Sequence, residues 1–136
     1  MGEWEQFQKK VWRRESFRAL SPDARLVYLW SWTNPDHANL SGLYSASPRQ
    51  MERALADDSP ELRERLRAAL RELSKEPLVL YDDDNEVLWV VGRVDHVLKS
   101  TTQATKMARE YEECPSSPLK DKFCRTYGKK LSLSQR

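Results

Sequence analysis

Residues 47–91 constrain the fold more than any other stretch, because helix signals and strand signals follow one another there without interruption. Ser47-Pro48 is a helix start, with serine as the cap and proline at the first helical position. The spacing predicts a helix to about Ala56. Ser59-Pro60 repeats the device and predicts a second helix, ending near Lys75 and before Pro77. Glu61 and Glu64 fall in its first turn, where carboxylates suit the positive end of the helix dipole. Leu78–Tyr81 and Val87–Val91 are strand-length apolar runs rich in β-formers, separated by the polar turn Asp82-Asp-Asp-Asn85. Two short helices followed by a hairpin is the order of a winged helix-turn-helix.

The flanking regions extend this reading. In residues 1–20, Trp4, Phe7, Val11, Trp12, Phe17 and Leu20 are scattered among charges, and Lys9–Arg14 reads as a strand or an extended arm. Ser21-Pro22 starts a helix carrying Leu26, Val27, Tyr28, Leu29, Trp30 and Trp32, apolar on nearly all sides and therefore expected to be central. It should stop before Pro35, which disfavours helical geometry at Asn34. A loop over 34–41 follows, then a short edge strand at Gly42-Leu-Tyr44 that joins the hairpin. The segment Arg93–Lys99 is ambiguous. A helix from about Thr102 to Glu113, a break at Cys114-Pro-Ser-Ser-Pro118, and a helix from Leu119 to Tyr127 capped by Gly128 complete the chain. Residues 128–136 are polar and basic and are expected to fray. The fold class expected is α+β, mainly α: an N-terminal arm (1–20), a winged-helix domain (21–99) with a small antiparallel sheet, and a helical C-terminal extension with a basic tail (100–136).

Composition excludes several classes. The 136 residues, 39% hydrophobic with five tryptophans, suffice for a modest core. No run approaches a transmembrane span and no apolar signal segment follows Met1, so a soluble, cytoplasmic protein without membrane partners is expected. Cys114 and Cys124 are the only cysteines and form no Cys-x-x-Cys pair, which argues against zinc or a disulfide framework. Their plain reading is small, reduced residues in C-terminal helices. His37 and His96 lack the context of a nucleophile or ligand set, and four glycines leave no phosphate-cradling loop. No catalytic residue, metal or cofactor is expected. The net charge is only +2, but residues 1–56 hold 8 basic and 6 acidic side chains, 57–91 hold 5 and 10, and 92–136 hold 10 and 5. A polyanion would be drawn first to the ends.

Within the second helix of the motif, Leu62, Leu66, Ala69, Leu70 and Leu73 share one side at the helical period, and Arg63, Arg67 and Arg71 recur on a neighbouring side. The second helix of a helix-turn-helix enters the major groove. Arginine is the commonest reader of guanine there, through O6 and N7. Ser59 and the amides at that helix's start are expected near a phosphate, with Arg49 and Arg53 on the preceding helix contacting backbone. Glu61 with Arg65, and Glu64 with Arg67, are also ordinary surface pairs at helical spacing. Two basic clusters, Lys9-Lys10-Arg13-Arg14 and Lys120, Lys122, Arg125, Lys129 and Lys130, could add a salt-sensitive, sequence-independent affinity for DNA. Phe123 and Tyr127 between them read as docking residues of the last helix. The hairpin tip opposes this picture, since Asp82, Asp83, Asp84 and Glu86 would repel phosphate. The tip reads as a solvated turn or as a contact for a basic protein partner; it lacks the ligand spacing of a calcium loop.

Several segments together resemble a known family. Leu20–Trp30, Thr33-Asn-Pro35, Asn39–Tyr44, Ala69–Leu73, Val79–Tyr81, Val87–Val90 and Cys114–Leu119 with Phe123 and Tyr127 are similar to phage and prophage proteins whose N-terminal winged helix is like that of DnaD-type primosome proteins and phage replisome organisers. The resemblance covers roughly residues 12–127 and implies double-stranded DNA binding in phage replication initiation or its regulation, self-association (a homodimer or larger oligomer), and a place in the host-cell cytoplasm. The acidic hairpin tip departs from the expected wing chemistry. It supports an alternative: a protein–protein module, an inhibitor or adaptor of a host or phage replication machine, docking through the tip.

Overall fold

The computed structural model describes residues 14–34, 39–55, 58–75 and 77–133. The arm expected over Lys9–Arg14 falls, apart from Arg14, outside the described residues, as do His37, Asp57 and the last three residues.

The chain is mainly helical with one three-stranded antiparallel sheet. In order, the elements are α1 (Glu15–Arg18), α2 (Pro22–Thr33), β1 (Leu43–Ser45), α3 (Pro48–Glu52) followed by a 3₁₀ turn (Arg53–Leu55), α4 (Leu62–Lys75), β2 (Val79–Asp82), β3 (Val87–Val90), α5 (Arg93–Val97), α6 (Thr101–Glu113) and α7 (Pro118–Tyr127). The strand order is β1-β3-β2, so the edge strand expected at 42–44 does join the hairpin. Leu43 lies opposite Trp89, and Leu80 opposite the same tryptophan from the other side.

Strand alternation divides the core in two. Tyr44, Val79, Leu88 and Val90 face a cluster closed by Phe17 and Leu20 around α1, Val27 and Tyr28 of α2, Met51 of α3, and Leu66, Ala69 and Leu73 of α4. Leu43, Val87 and Trp89 face a second cluster closed by Val94 and Val97 of α5, Met107 and Tyr111 of α6, and Phe123 and Tyr127 of α7. The sheet is thus a middle layer between N-terminal and C-terminal helices, and every residue of the central β3 is buried.

Local chemistry sets most boundaries. Ser21 Oγ accepts the Ala24 amide at 3.2 Å, Pro22 occupies the first turn, and Asn34 leaves helical geometry with ψ 114. Ser47 and Gln50 form a reciprocal capping box at α3. The structure departs from the sequence-based expectation in five places. First, α4 begins at Leu62 rather than Pro60: Ser59 Oγ accepts the Glu61 amide at 3.2 Å and the Ser59 carbonyl accepts Leu62 N–H at 3.1 Å, a tight turn before the first α-helical bond. Second, α2 is not buried all round. Ala24, Val27, Tyr28 and Ser31 are buried, but Leu26 is 44% exposed, because the helix lies against one side of the core. Third, the hairpin turn is Asp83–Glu86, since Asp82 still pairs with Val87, and Glu86 takes φ 54. Fourth, Arg65 reaches Asp23 of α2, a partner that helical spacing does not suggest, through Nε–Oδ2 at 2.9 Å and Nη2–Oδ1 at 2.8 Å. Fifth, residues 128–133 do not fray. Gly128 is right-handed helical (φ −54), not a left-handed cap, and a Cβ there would meet the Cys124 carbonyl oxygen at 2.5 Å. The turn it permits buries Leu131 against the second cluster.

Candidate nucleic-acid interface

The expected site residues fall on two sides of the sheet. Arg63, Arg67 and Arg71 are exposed along α4, whose opposite face buries Leu66, Ala69 and Leu73. Arg49 on α3 and Arg53 in the 3₁₀ turn are exposed as well. Lys120, Lys122, Lys129 and Lys130 belong to α7 and the turn after it, in the layer beyond the sheet. The arginine stripe and the C-terminal basic cluster thus sit on helices packed against opposite faces of the sheet.

Two of the C-terminal lysines are already engaged. Lys120 Nζ donates to the Cys114 carbonyl at 2.8 Å and sits 4.8 Å from the Tyr111 ring centroid. Lys130 lies 3.3 Å from Asp95 Oδ1, an exposed pair. Lys122 and Lys129 are exposed. Burial pushes the Cys114 thiol up to about 11, leaving it protonated at neutral pH.

The acids near α4 are distributed differently from the helical pairs that the spacing suggests. Glu72 Oε2 accepts the Ser21 amide at 3.0 Å, and Glu61 accepts the Ser59 hydroxyl at 2.6 Å. Ser59 is thus committed to its own turn. Glu52, at the end of α3, accepts Arg63 Nε at 2.8 Å. The Glu52 bond chiefly favours the charged guanidinium, with smaller electrostatic help from Glu52 and Asp83. Asp83 and Arg63 both act on the Tyr81 phenol, whose pKa is raised first by burial and then by Glu86, Asp83 and Asp82, with Arg63 opposing them. The charge of Asp83 is thus felt both at Arg63 on α4 and at Tyr81 on β2.

At the tip, Asp83, Asp84 and Glu86 are exposed, while Asp82 is half-buried. Asp82 Oδ2 accepts the Ser117 hydroxyl at 2.6 Å and Asn85 Nδ2 at 2.7 Å. These bonds, the one from Ser117 foremost, hold its carboxyl below the usual carboxylate range. Among the described residues no group of three or more His, Cys, Asp or Glu side chains could hold a metal ion, and no helix is long and apolar enough to cross a membrane.

Sequence reasoning missed three residues with partners far along the chain or across a turn: Glu52 beside α4 and, away from it, Arg93 and Glu110. Glu52 was invisible because its partner lies eleven residues away across a turn. Arg93 donates to the carbonyls of Trp32, Asn39 and Leu40 at 2.7, 2.9 and 3.3 Å and stacks 4.9 Å from the Trp32 ring. Glu110 accepts the amides of Leu40 and Ser41, each at 2.9 Å. A basic and an acidic residue in unremarkable helical surroundings carry no sign of such distant backbone partners.

No family model matches the chain, and neither a curated protein nor a solved structure matches it.

Proposed function

We propose that the protein is a winged-helix DNA-binding protein of the phage type, working in replication initiation or its regulation, with α3 and α4 as its helix-turn-helix and β2–β3 as a short wing. The observation that carries this reading is the exposed arginine row on α4. It lies on a helix whose inner face is fixed in the core, following α3 at the spacing of a two-helix motif. A helix anchored this way would offer its guanidinium forks from a fixed backbone to the major groove. Arg49 and Arg53 would meet backbone phosphates beside it. The resemblance to DnaD-type and replisome-organiser domains supports a replication role.

Fluorescence anisotropy should show duplex binding that weakens steeply as salt rises. Replacing Arg67 and Arg71 by Ala should weaken specific binding by about 1–3 kcal/mol for each base-reading guanidinium removed. If no duplex or single strand binds at low salt, the reading fails.

A second reading is supported by the three exposed carboxylates at the hairpin tip. They would repel phosphate and suit a basic protein surface, as on an inhibitor or adaptor of a nucleic-acid machine. Recovery of one stoichiometric partner, lost when Asp83, Asp84 and Glu86 are all changed to Lys, would favour it over DNA binding.

A further inference from the structure

Arg63 occupies the second position of α4, and it is the first residues of such a helix that meet base edges. Its guanidinium is a planar fork with donors on Nε and on both terminal nitrogens. Glu52 takes the Nε edge at 2.8 Å, and this is the one hydrogen bond that Arg63 makes among the described residues. The two side chains differ in exposure: Glu52 is 16% exposed and Arg63 is 48% exposed. The carboxylate is thus mostly covered, while about half of the arginine side chain remains open to solvent.

We infer that Glu52 is a positioning residue for sequence recognition: it clamps the Nε edge of Arg63 and leaves Nη1 and Nη2 pointing outward as a pre-oriented donor pair for O6 and N7 of one guanine. This rests on the reading of α4 as a groove-entering helix. Three physical points support it. An unclamped arginine gives up rotamer freedom on binding, whereas a clamped one has given up much of it during folding. The Arg63–Glu52 pair is close to neutral, so it contributes little to counterion release and its worth is directional. The negative charge of Asp83 also acts on the Arg63 guanidinium. Its charge disfavours a phosphate there and leaves a base edge as the better partner for the fork. No carboxylate bonds Arg67 or Arg71 among the described residues, so neither has a clamp of this kind.

The test starts from a duplex site that the wild type selects out of a randomised pool. Single-base variants at each guanine are titrated at several salt concentrations with wild type, Glu52→Ala, Glu52→Gln and Arg63→Ala, each checked for folding by thermal melt. Glu52→Ala should lose discrimination at one guanine by about fivefold or more, approaching the Arg63→Ala value at that position alone. Its binding to random duplex should strengthen, and the log–log salt slope should steepen by about 0.9. Glu52→Gln keeps an oxygen acceptor for Nε and should retain most of the discrimination. If Glu52→Ala does not fold, Glu52→Met supplies an acceptor-free side chain of similar volume. Unchanged discrimination in the acceptor-free variant, or no guanine that depends on Arg63, overturns the clamp and leaves DNA binding standing. Equal tightening on selected and random duplex also overturns it, because Glu52 is then only an electrostatic brake. Absence of duplex binding by wild type and every variant overturns the clamp together with the reading beneath it.

Discussion

Asp82 shows how a single residue ties the hairpin to the rest of the molecule. It ends β2, and its carboxylate is held between the Ser117 hydroxyl at the start of α7 and the Asn85 amide across the turn. Both bonds favour the ionised form, so its folded pKa lies below the ordinary value. By linkage, the stabilisation is complete above the unfolded-state pKa and is lost as pH falls through the depressed folded value. Urea midpoints should therefore drop more between about pH 6 and about pH 3 in wild type than in Asp82→Asn. Parallel pH dependences in the two proteins would remove Asp82 from the acid sensitivity of the fold. The other tip carboxylates are exposed and make no comparable contact to α7, so charge changes at Asp83 or Asp84 should leave this pH dependence nearly intact.

Among the elements, the segment from Asn39 to Gly42 has the most dependence on distant partners. Gly42 takes φ +80, and a Cβ there would come within 3.0 Å of Arg93 Cβ and of the Val90 carbonyl oxygen. Asn39 Oδ1 accepts the Gly42 amide at 2.7 Å, Arg93 gathers three carbonyls, and Glu110 takes two amides. A segment with this many backbone groups turned inward needs side chains to satisfy them. Arg93→Ala leaves three carbonyls without that guanidinium and should destabilise the protein by at least about 2 kcal/mol. Chemical denaturation measures this; a loss under about 0.5 kcal/mol would show that water replaces the arginine without cost. The same variant should leave the affinity of the folded protein for duplex unchanged, because Arg93 lies away from α4.

At the scale of the whole molecule, the sheet is shared by two helical layers. α6 and α7 bury the face carrying Leu43, Val87 and Trp89, with Phe123 5.6 Å from the Trp89 ring centroid and 5.1 Å from that of Tyr127. A hairpin exposed on one face could move as a free wing; this one has helices packed on both, with β2 half-buried and the acidic turn exposed. Phe123→Ala should cost about 3–5 kcal/mol, read as a shift in denaturant midpoint with unchanged slope. A small effect would mean that the C-terminal layer rests on the sheet without sharing its core. The layering also sets the arginines of α4 and the lysines of α7 on helices packed against opposite faces of the sheet.

The sequence by itself determined the order and nature of most elements, because their signals are local. Caps at Ser21 and Ser47 satisfy amides within the next three residues, and the apolar run of β-formers at Val87–Val90 reads as a strand with no distant partner. The same locality made the arginine row on α4 legible, since an apolar stripe fixes which side of a helix turns outward. Partners were decided only by the tertiary structure. Arg65 found Asp23 forty-two residues away, Arg63 found Glu52 across a turn, and Glu72 accepts the Ser21 amide fifty-one residues away. Helical spacing says which charges are neighbours on one element. Which carboxylate approaches closest depends on how the elements cross, and no local propensity encodes that. The side of the sheet on which each basic cluster lies was decided in the same way, by which face of β3 each helix came to cover.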